Sequence, residues 1–155
     1  MDHNDYGELR KTLRILEREI EKVIEDQSGC CGVSFAQCHT LLEIEEIGEV
    51  SIKALSERLE LDNSTLSRTI DKMVKDGLIH RTENPSDRRY LMLSLTDNGK
   101  KTANSIGLMC NGYYRELFEN IPVEKHNQII DSIGILASSM KKMRKKSSNS
   151  KNCCK

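Results

Sequence analysis

The chain has 155 residues, of which 31% are charged, 37% hydrophobic and only 4% aromatic, and it contains two Pro and no Trp. No run of 18 apolar residues occurs and the N-terminal residues form no apolar segment, so we expect neither a spanning helix nor a secretory signal. The scarcity of turn residues disfavours an all-β barrel. The formal net charge is zero, so any nucleic-acid surface must be local. We expect a mainly helical, cytoplasmic protein without membrane contact.

Charge is distributed unevenly along the chain. Residues 1–50 carry 5 Lys/Arg against 12 Asp/Glu, whereas residues 141–155 carry 7 against none. Because we expect a cytosolic protein, its six cysteines argue against a disulfide scaffold and indicate packing, metal-binding or redox roles.

The first predicted helix has a narrow apolar seam in an otherwise charged sequence. Its apolar residues recur at intervals of three and four positions: Leu9, Leu13, Leu16, Ile20 and Val23. The motif Gly29-Cys30-Cys31-Gly32 interrupts this pattern. Ser34 and Gln37 then form a capping box that opens a second helix, which we expect to end near Gly48.

A helix-turn-helix followed by a hairpin is predicted between residues 51 and 95. Ser51 is the expected N-cap of a short third helix, and Asn63 is the expected cap of the fourth, which ends at Gly77. The fourth helix turns one apolar stripe inward: Leu66, Ile70 and Met73. Two β-like runs, 78–82 and 90–95, flank a polar turn, and a hairpin in this position forms a wing.

Two further helices complete the chain. Thr96 can cap the fifth helix, which breaks near Pro122. The last helix carries another seam: Ile129, Ile133, Leu136, Met140 and Met143. Because both chain ends have seams that one winged domain cannot cover, we expect a two-fold homodimer. A monomeric helical bundle that buries the same seams internally is the alternative.

The outward face of the fourth helix is small, hydroxylic and basic. Its candidate DNA contacts are Asn63, Ser64, Thr65, Ser67, Arg68 and Lys72. Hydroxyl groups can meet phosphate or base edges, Arg can address guanine, and the dipole at a helix N-terminus favours phosphate. Arg88 and Arg89 at the wing tip could reach the adjacent minor groove. Taken alone, these cations are typical of a solvated face; the order of helix, turn, helix and basic hairpin favours DNA.

Three stretches carry a resemblance to a known family: residues 51–81, Asn84-Pro85-Ser86-Asp87-Arg88-Arg89, and Leu93-Ser94-Leu95-Thr96-Asp97-Asn98-Gly99-Lys100. The sequence resembles the MarR family of winged-helix transcriptional regulators. With the periodicities above, the resemblance implies a mainly α fold with a small β-wing. A winged helix-turn-helix domain at 33–96 would be flanked by helical dimerisation regions at 1–32 and 97–146, and 147–155 would be a disordered tail that contains Cys153 and Cys154.

The resemblance also implies roles for individual residues and a partner. The recognition helix would carry Ser64, Thr65, Ser67 and Arg68, and the wing would carry Arg88 and Arg89. Asp87 would orient a wing arginine instead of contacting DNA. The partner implied is a double-stranded, pseudo-palindromic DNA operator bound by a homodimer, usually a repressor that is released when a ligand or an oxidant alters the dimer.

The candidate effector site consists of cysteines: Cys30, Cys31, Cys38 and Cys110. A loop ahead of a helix N-terminus favours the thiolate form, and thiolates bind soft species such as Zn(II), Cu(I) or trivalent arsenic. Vicinal thiols such as Cys30 and Cys31 can also act as a disulfide or sulfenate switch. In MarR-like regulators the hinge between the first two helices and the fifth helix border the effector pocket. Packing is the competing explanation for Cys38 and Cys110, since each continues an apolar stripe.

The expected function is therefore that of a DNA-binding repressor whose operator binding responds to an effector. Two alternatives stay open: a repressor that responds to a small organic ligand and has structural cysteines, and a thiol metal-binding or interaction protein without DNA function. No phosphate-binding Gly loop, nucleophile elbow or HExxH motif occurs, so we do not expect an enzyme. A thiophilic metal or metalloid ion is the one cofactor that the cysteines suggest.

Overall fold

Helices and one small sheet make up the fold. A computed structural model of the chain describes residues 3–27, 32–84 and 91–150, with side chains described for 5–24, 32–84 and 91–146. The helices are α1 (His3–Gln27), α2 (Phe35–Ile47), α3 (Ile52–Leu59), α4 (Asn63–Lys75), α5 (Asp97–Glu119) and α6 (His126–Ser150). The strands are β1 (Glu49–Ser51), β2 (Ile79–Glu83) and β3 (Leu91–Leu95). A mainly α fold with a β-wing is thereby confirmed.

The chain divides into two compact units, residues 1–108 and 109–155. In the first unit, the sheet has the antiparallel order β1-β3-β2. Leu95 pairs with Ile79 across the hairpin, and Leu93 pairs with Val50 on the other edge. The hairpin agrees with the prediction, but β1 was missed, because three residues are too few to show an alternating pattern.

The core of the first unit lies between the sheet and helices α2, α3 and α4. Fully buried side chains come from each of these elements and from β3: Leu41, Ile44, Leu55, Leu66, Ile70, Met73 and Leu93. The stripe predicted on α4 is thus confirmed. Burying a side chain of this size stabilises the fold by about 1.5–3 kcal/mol, so the position of α4 is strongly determined.

Local hydrogen bonds fix where three of the helices begin. Ser34 and Gln37 form both halves of the predicted capping box at the start of α2. The Ser51 hydroxyl accepts a hydrogen bond from the Ala54 N–H at 3.2 Å, which confirms it as the cap of α3. At α5, the Thr96 hydroxyl accepts from the Gly99 N–H at 2.9 Å. These caps satisfy N–H groups that have no partner within the helix.

The prediction that Asn63 caps α4 is wrong. Asp62 is the N-cap, with extended dihedrals (φ −68°, ψ 148°), and Asn63 is the first helical residue. Both residue types favour the cap position, so composition does not separate them. The negative charge of a carboxylate at this position is stabilised by the positive end of the helix dipole, and an uncharged amide gains less from this attraction.

The wing meets α5 at a tight junction. The Thr96 hydroxyl donates to the Gly77 carbonyl at 2.7 Å, and the Thr96 N–H donates to the Leu78 carbonyl at 3.1 Å. Gly77 has a left-handed φ of 69°, as the predicted helix end requires. Gly99 is buried directly against the Leu78 carbonyl. The hairpin is therefore fixed to α5 by backbone contacts.

In the second unit, a short 3-10 turn (Val123–Lys125) joins the end of α5 to α6. His126 Nε2 lies 3.1 Å from the Phe118 carbonyl and 2.9 Å from the Ile121 carbonyl, and its ring contacts the Phe118 ring edge to face. These contacts satisfy carbonyls near the end of α5. The helix α6 continues through Ser150, four residues past the boundary predicted at 146, since the Lys- and Arg-rich turn before it consists of good helix formers.

The apolar seams of α1 and α6 are largely exposed in the single chain. On α1, Leu16 is 44% and Ile20 49% exposed; on α6, Ile133 is 54% and Met140 57% exposed. Contiguous exposed apolar surface of this kind usually marks an interaction site. None of the helices in the described ranges is long and apolar enough to cross a membrane.

Candidate nucleic-acid interface

Packing determines which face of α4 reaches solvent. The helix packs against α2, α3 and β2 through Leu66, Ile70 and Met73, each with no exposed area. Because each residue advances by about 100°, Arg68 and Lys75 lie almost opposite this stripe. A positively charged surface therefore faces away from the core, beside the hairpin.

The residues predicted to contact DNA from α4 mostly reach solvent. Those exposed are Asn63, Ser64, Thr65, Arg68 and Lys72. Ser67 is half-buried at the edge of the face, about 100° from Arg68. Hydroxyl donors lie toward the N-terminal end of this face and cations toward its middle and C-terminal end, an arrangement suited to polar base edges and phosphates.

Asp62 changes the electrostatics at the N-terminus of α4. Its Oδ1 accepts hydrogen bonds from the Ser64 hydroxyl and from the Thr65 N–H, the latter at 2.8 Å. These bonds hold the pKa of the Asp62 carboxyl well below its usual range. A charged carboxylate thus occupies the end of the helix where we expected a phosphate, and like-charge repulsion argues against phosphate binding there.

We expect Asp62→Ala to shorten α4 and lower the melting temperature by about 2–5 °C. The folded pKa of Asp62 is depressed, so its contribution is present above the unfolded value near pH 4 and is lost as the pH falls below that value. Asp62→Asn should keep the cap but remove this acid-dependent part. Thermal melts of the three proteins between pH 3 and pH 7 test both statements, and equal melting of Asp62→Ala and parent would contradict them.

An ion pair joins α4 to the wing. Arg81 on β2 contacts the Asp71 carboxylate, with 2.6 Å between Arg81 Nη2 and Asp71 Oδ1. The Asp71 side chain is 63% exposed on the same outward side of α4 as Arg68. Sequence analysis missed this ion pair, since a pairing between a helix and a strand leaves no local pattern in the sequence.

A second ion pair connects α3 to α2. The Arg58 guanidinium contacts the Glu43 carboxylate, and its Nη2 lies 2.8 Å from Glu46 Oε2. Arg58 is therefore engaged by α2 and is not part of the cationic surface of α4. The exposed pair contributes little to stability, about 0–1 kcal/mol for such bridges.

The wing tip and part of the cysteine set cannot be placed. Asp87, Arg88 and Arg89 lie outside the described residues, as do Cys30 and Cys31.

Cys38 and Cys110 are described, and neither forms a disulfide. Each is half-buried, Cys38 on α2 and Cys110 on α5. The adjacent His39 packs its ring against Phe35, with 4.3 Å between centroids. Within residues 5–24, 32–84 and 91–146, no three His, Cys, Asp or Glu side chains converge as metal ligands. These two cysteines alone therefore do not provide a metal site.

The sequence of the chain is similar to those of known proteins. A profile of the MarR family matches residues 33–91. The chain is 29% identical over 119 residues to the HTH-type transcriptional regulator SarZ of Staphylococcus epidermidis, covering 77% of this chain and 79% of SarZ. It is 30% identical over 93 residues to the HTH-type transcriptional repressor MdtR of Bacillus subtilis, covering 60% of each.

A solved structure shares the fold. A mutant MarR from E. coli, complexed with operator DNA, superposes with a TM-score of 0.69 at 20% identity, covering 90% of this chain and 99% of that one. The matched profile spans α2, β1, α3, α4 and β2 and ends at the first residue of β3, so it includes α4 and its outward face. The homologues are transcriptional regulators and not enzymes. Residues 33–91 match the MarR family, and over 77% of its length the chain is similar to an HTH-type transcriptional regulator.

Proposed function

We propose that this chain is a cytoplasmic repressor that binds a specific DNA operator through α4 and the wing. The observation that carries the proposal is the outward face of α4, where Ser64, Thr65, Arg68 and Lys72 are exposed opposite a fully buried stripe. The likeness to the MdtR repressor supports repression, and the likeness to a MarR complexed with operator DNA supports the partner.

Each residue of the face has a role in the proposal. Arg68 addresses a guanine edge in the major groove, and Lys72 meets a phosphate. Polar side chains at the start of the helix contact base edges: Asn63, Ser64, Thr65 and Ser67. The Ser64 hydroxyl donates its proton to Asp62, so it accepts a hydrogen bond from a base. On the wing, Arg88 and Arg89 enter the minor groove and Asp87 orients one of them.

Arg68→Ala is the direct test of the face. Losing a base contact costs about 1–3 kcal/mol, which is a 5- to 150-fold loss of operator affinity. The matched control is Arg115→Ala, which removes an exposed arginine from α5 in the other unit. An operator is first selected from random duplexes with the parent protein. Fluorescence anisotropy then measures the affinities of Arg68→Ala and Arg115→Ala for this operator. Unchanged affinity and base preference in Arg68→Ala would refute the proposal.

The ion pair between Asp71 and Arg81 gives a second test. Arg81→Ala removes the cation that pairs with the Asp71 carboxylate near Arg68, and this carboxylate then repels the DNA phosphates. We therefore expect operator affinity to fall several-fold while the melting temperature barely changes. Adding Asp71→Asn removes the repulsion between this side chain and DNA and should restore most of the affinity. A double-mutant cycle on affinity measures the coupling. Additive losses would show that the pair does not act on DNA binding.

We place the regulator on DNA as a homodimer. The exposed seams of α1 and α6 supply apolar surface for a two-fold interface, and two recognition helices about 34 Å apart fit the half-sites of a pseudo-palindromic operator. Asp in place of Leu16 or Ile133 puts a charge into this interface. Sedimentation should give twice the chain mass for the parent and monomer or unfolded chain for these variants. A parent that sediments as a monomer would contradict the dimer.

The proposed input is a thiol-reactive effector. Cys30 and Cys31 are adjacent, precede α2 and have no role in an apolar stripe, and Cys38 lies in the first turns of α2, whereas Cys110 belongs to α5 in the other unit. Cys30, Cys31 and Cys38 offer the soft donors that suit Zn(II), Cu(I) or trivalent arsenic, or a pair for disulfide formation. The half-burial of Cys38 and Cys110 equally suits packing, and a small organic effector is then the second candidate.

A mobility shift separates these effectors. Reduced protein on operator DNA is titrated with Zn(II), phenylarsine oxide and hydrogen peroxide, and the titrations are repeated with Cys30→Ser/Cys31→Ser. A matched control, Cys153→Ser/Cys154→Ser, removes the other vicinal pair. We expect at least one agent to change DNA binding by the parent and by the control but not by Cys30→Ser/Cys31→Ser. If Cys30→Ser/Cys31→Ser responds as the parent does, these two thiols are not the input.

A further inference from the structure

A hydrogen bond fixes the direction of one hydroxyl group on the outward face of α4. The Ser64 Oγ is hydrogen-bonded to Asp62 Oδ1, which also accepts from the Thr65 N–H. The bonds from Ser64 and Thr65 hold the pKa of the Asp62 carboxyl well below its usual range, so this carboxyl carries no proton at neutral pH. The proton between the two oxygens therefore belongs to Ser64, and the Ser64 hydroxyl is the donor.

Ser64 lies at the N-terminal end of the outward face. At about 100° per residue, Ser64 is about 40° around the helix from Arg68 and about 20° from Lys75, almost opposite the buried stripe. Ser64 and Asp62 are both exposed. Ser64 and Arg68 are about 6 Å apart along the helix axis, which is less than two base-pair steps of about 3.4 Å. In the proposed complex these two side chains therefore face base pairs that are one or two steps apart.

We infer that Asp62 is a positioning residue that makes Ser64 select a base amino group in the major groove. A hydroxyl has one proton and two lone pairs, and while Asp62 holds the proton only the lone pairs are left for a base. The major-groove donors are the N6 amino group of adenine and the N4 amino group of cytosine, whereas guanine and thymine present carbonyl oxygens there. This inference rests on the proposed function, because it needs α4 in the major groove.

The Asp62 carboxylate also disfavours the opposite choice. A guanine or thymine carbonyl oxygen beside Ser64 would meet oxygen lone pairs without a proton between them, and it would lose hydrogen bonds to water without replacement. To donate to that carbonyl, Ser64 would have to break its hydrogen bond to Asp62. A hydrogen bond to a charged carboxylate is stronger than one to a neutral carbonyl, so this exchange is unfavourable.

Ser64→Ala identifies the base pair concerned, on the operator selected with the parent protein. This variant should lose its preference at one base pair, within two steps of the pair whose preference Arg68→Ala relaxes. Fluorescence anisotropy then measures the affinity of the parent for all four base pairs at that position. Adenine and cytosine on the contacted strand should bind alike, and replacing them by thymine or guanine should weaken binding by at least about 5-fold.

Base analogues show which group on the base pair is read. Purine in place of the contacted adenine, or pyrimidin-2-one in place of the contacted cytosine, removes only the amino group. This removal should weaken binding by the parent by at least about 5-fold and should not further weaken binding by Ser64→Ala. If the parent instead loses affinity only when the carbonyl oxygen of the opposite base is removed, Ser64 is the donor to DNA and the inference is overturned.

Asp62→Gly tests the positioning role. Glycine is accepted at a helix N-cap but has no oxygen to hold the Ser64 proton, so the hydroxyl can either donate or accept. The four base pairs at this position should then bind within about 2-fold of one another. The matched control is Glu57→Gln, which removes an exposed carboxylate from α3 and should keep the parental preference. If Asp62→Gly is folded by circular dichroism and keeps the parental preference, Asp62 is only a helix cap and the inference is overturned.

The same variants separate this inference from the proposed function. If no operator is selected, or if Arg68→Ala keeps the parental affinity and base preference, the proposed function fails and the inference fails with it. If Arg68→Ala relaxes one base pair while Ser64→Ala relaxes none, the proposed function stands and the inference alone is overturned.

Discussion

Replacing Arg88 and Arg89 together by Ala is expected to weaken operator binding by at least about 100-fold, the largest functional effect predicted for this chain. Both residues belong to the wing between β2 and β3, outside the described residues. In the proposed complex each arginine makes a charge-assisted contact in the minor groove, where the negative potential of DNA is strongest at narrow A-tracts, and the substitution removes that contact. The affinity should also depend less on salt, because two cations no longer displace counterions.

The control for the wing variant is Arg10→Ala/Arg14→Ala, which removes the same charge from the exposed surface of α1. Anisotropy titrations over a series of salt concentrations compare the two variants with the parent, and circular dichroism confirms unchanged helix content. A wing variant that retains parental affinity would show that α4 alone recognises the operator. An equal loss in both variants would show that net charge, and not the wing, determines binding.

Gly99→Ala is expected to cost about 3 kcal/mol of folding free energy. A Cβ at this position would lie 2.0 Å from the Leu78 carbonyl oxygen and 3.4 Å from the Leu95 Cβ. The obstacle is backbone, so α5 or the start of the wing must move. Movement would disturb the hydrogen bonds that Thr96 makes to Gly77 and Leu78. At fixed protein concentration the melting temperature should fall by about 6–12 °C.

Gly112→Ala is the matched control, since Gly112 is exposed on the same helix and an added Cβ there meets nothing within 4 Å. Alanine is more favourable than glycine in a helix interior, so the free energy of unfolding of this variant should rise by about 0.5–1 kcal/mol. Thermal and urea unfolding should therefore show that Gly99→Ala is less stable than the parent and that Gly112→Ala is more stable. A Gly99→Ala protein that is as stable as the parent would mean that the junction tolerates displacement, and the wing would then be less firmly fixed to α5.

Sequence alone determined the features that depend on residues within one helical turn or one hairpin. The capping box of Ser34 and Gln37, the buried stripe of α4 and the cap at Thr96 all appear in the structure as predicted. Each is a pattern with a period of three or four residues, and the physical forces behind it act over the same distance along the chain. The order of these elements was enough to indicate a winged helix.

Only the tertiary structure decided the features that join residues distant in sequence. Val50 pairs with Leu93 to make a third strand, and Asp71 meets Arg81 across the edge of the candidate interface. Neither contact has a local signature, because the first joins two strands that are far apart in sequence and the second depends on how α4 packs against β2.

Packing between elements also determines that Asp62 and not Asn63 caps α4, and that position 99 requires glycine. Asp62 and Asn63 are both good caps, and packing of α3 against α4 fixes the turn that leaves Asp62 extended. Gly99 lies in a sequence that would accept any helix former, yet the approach of the Leu78 backbone leaves no room for a Cβ. Local interactions determine which helices and strands form. Where two local arrangements have similar free energies, packing between the elements determines which one the protein adopts.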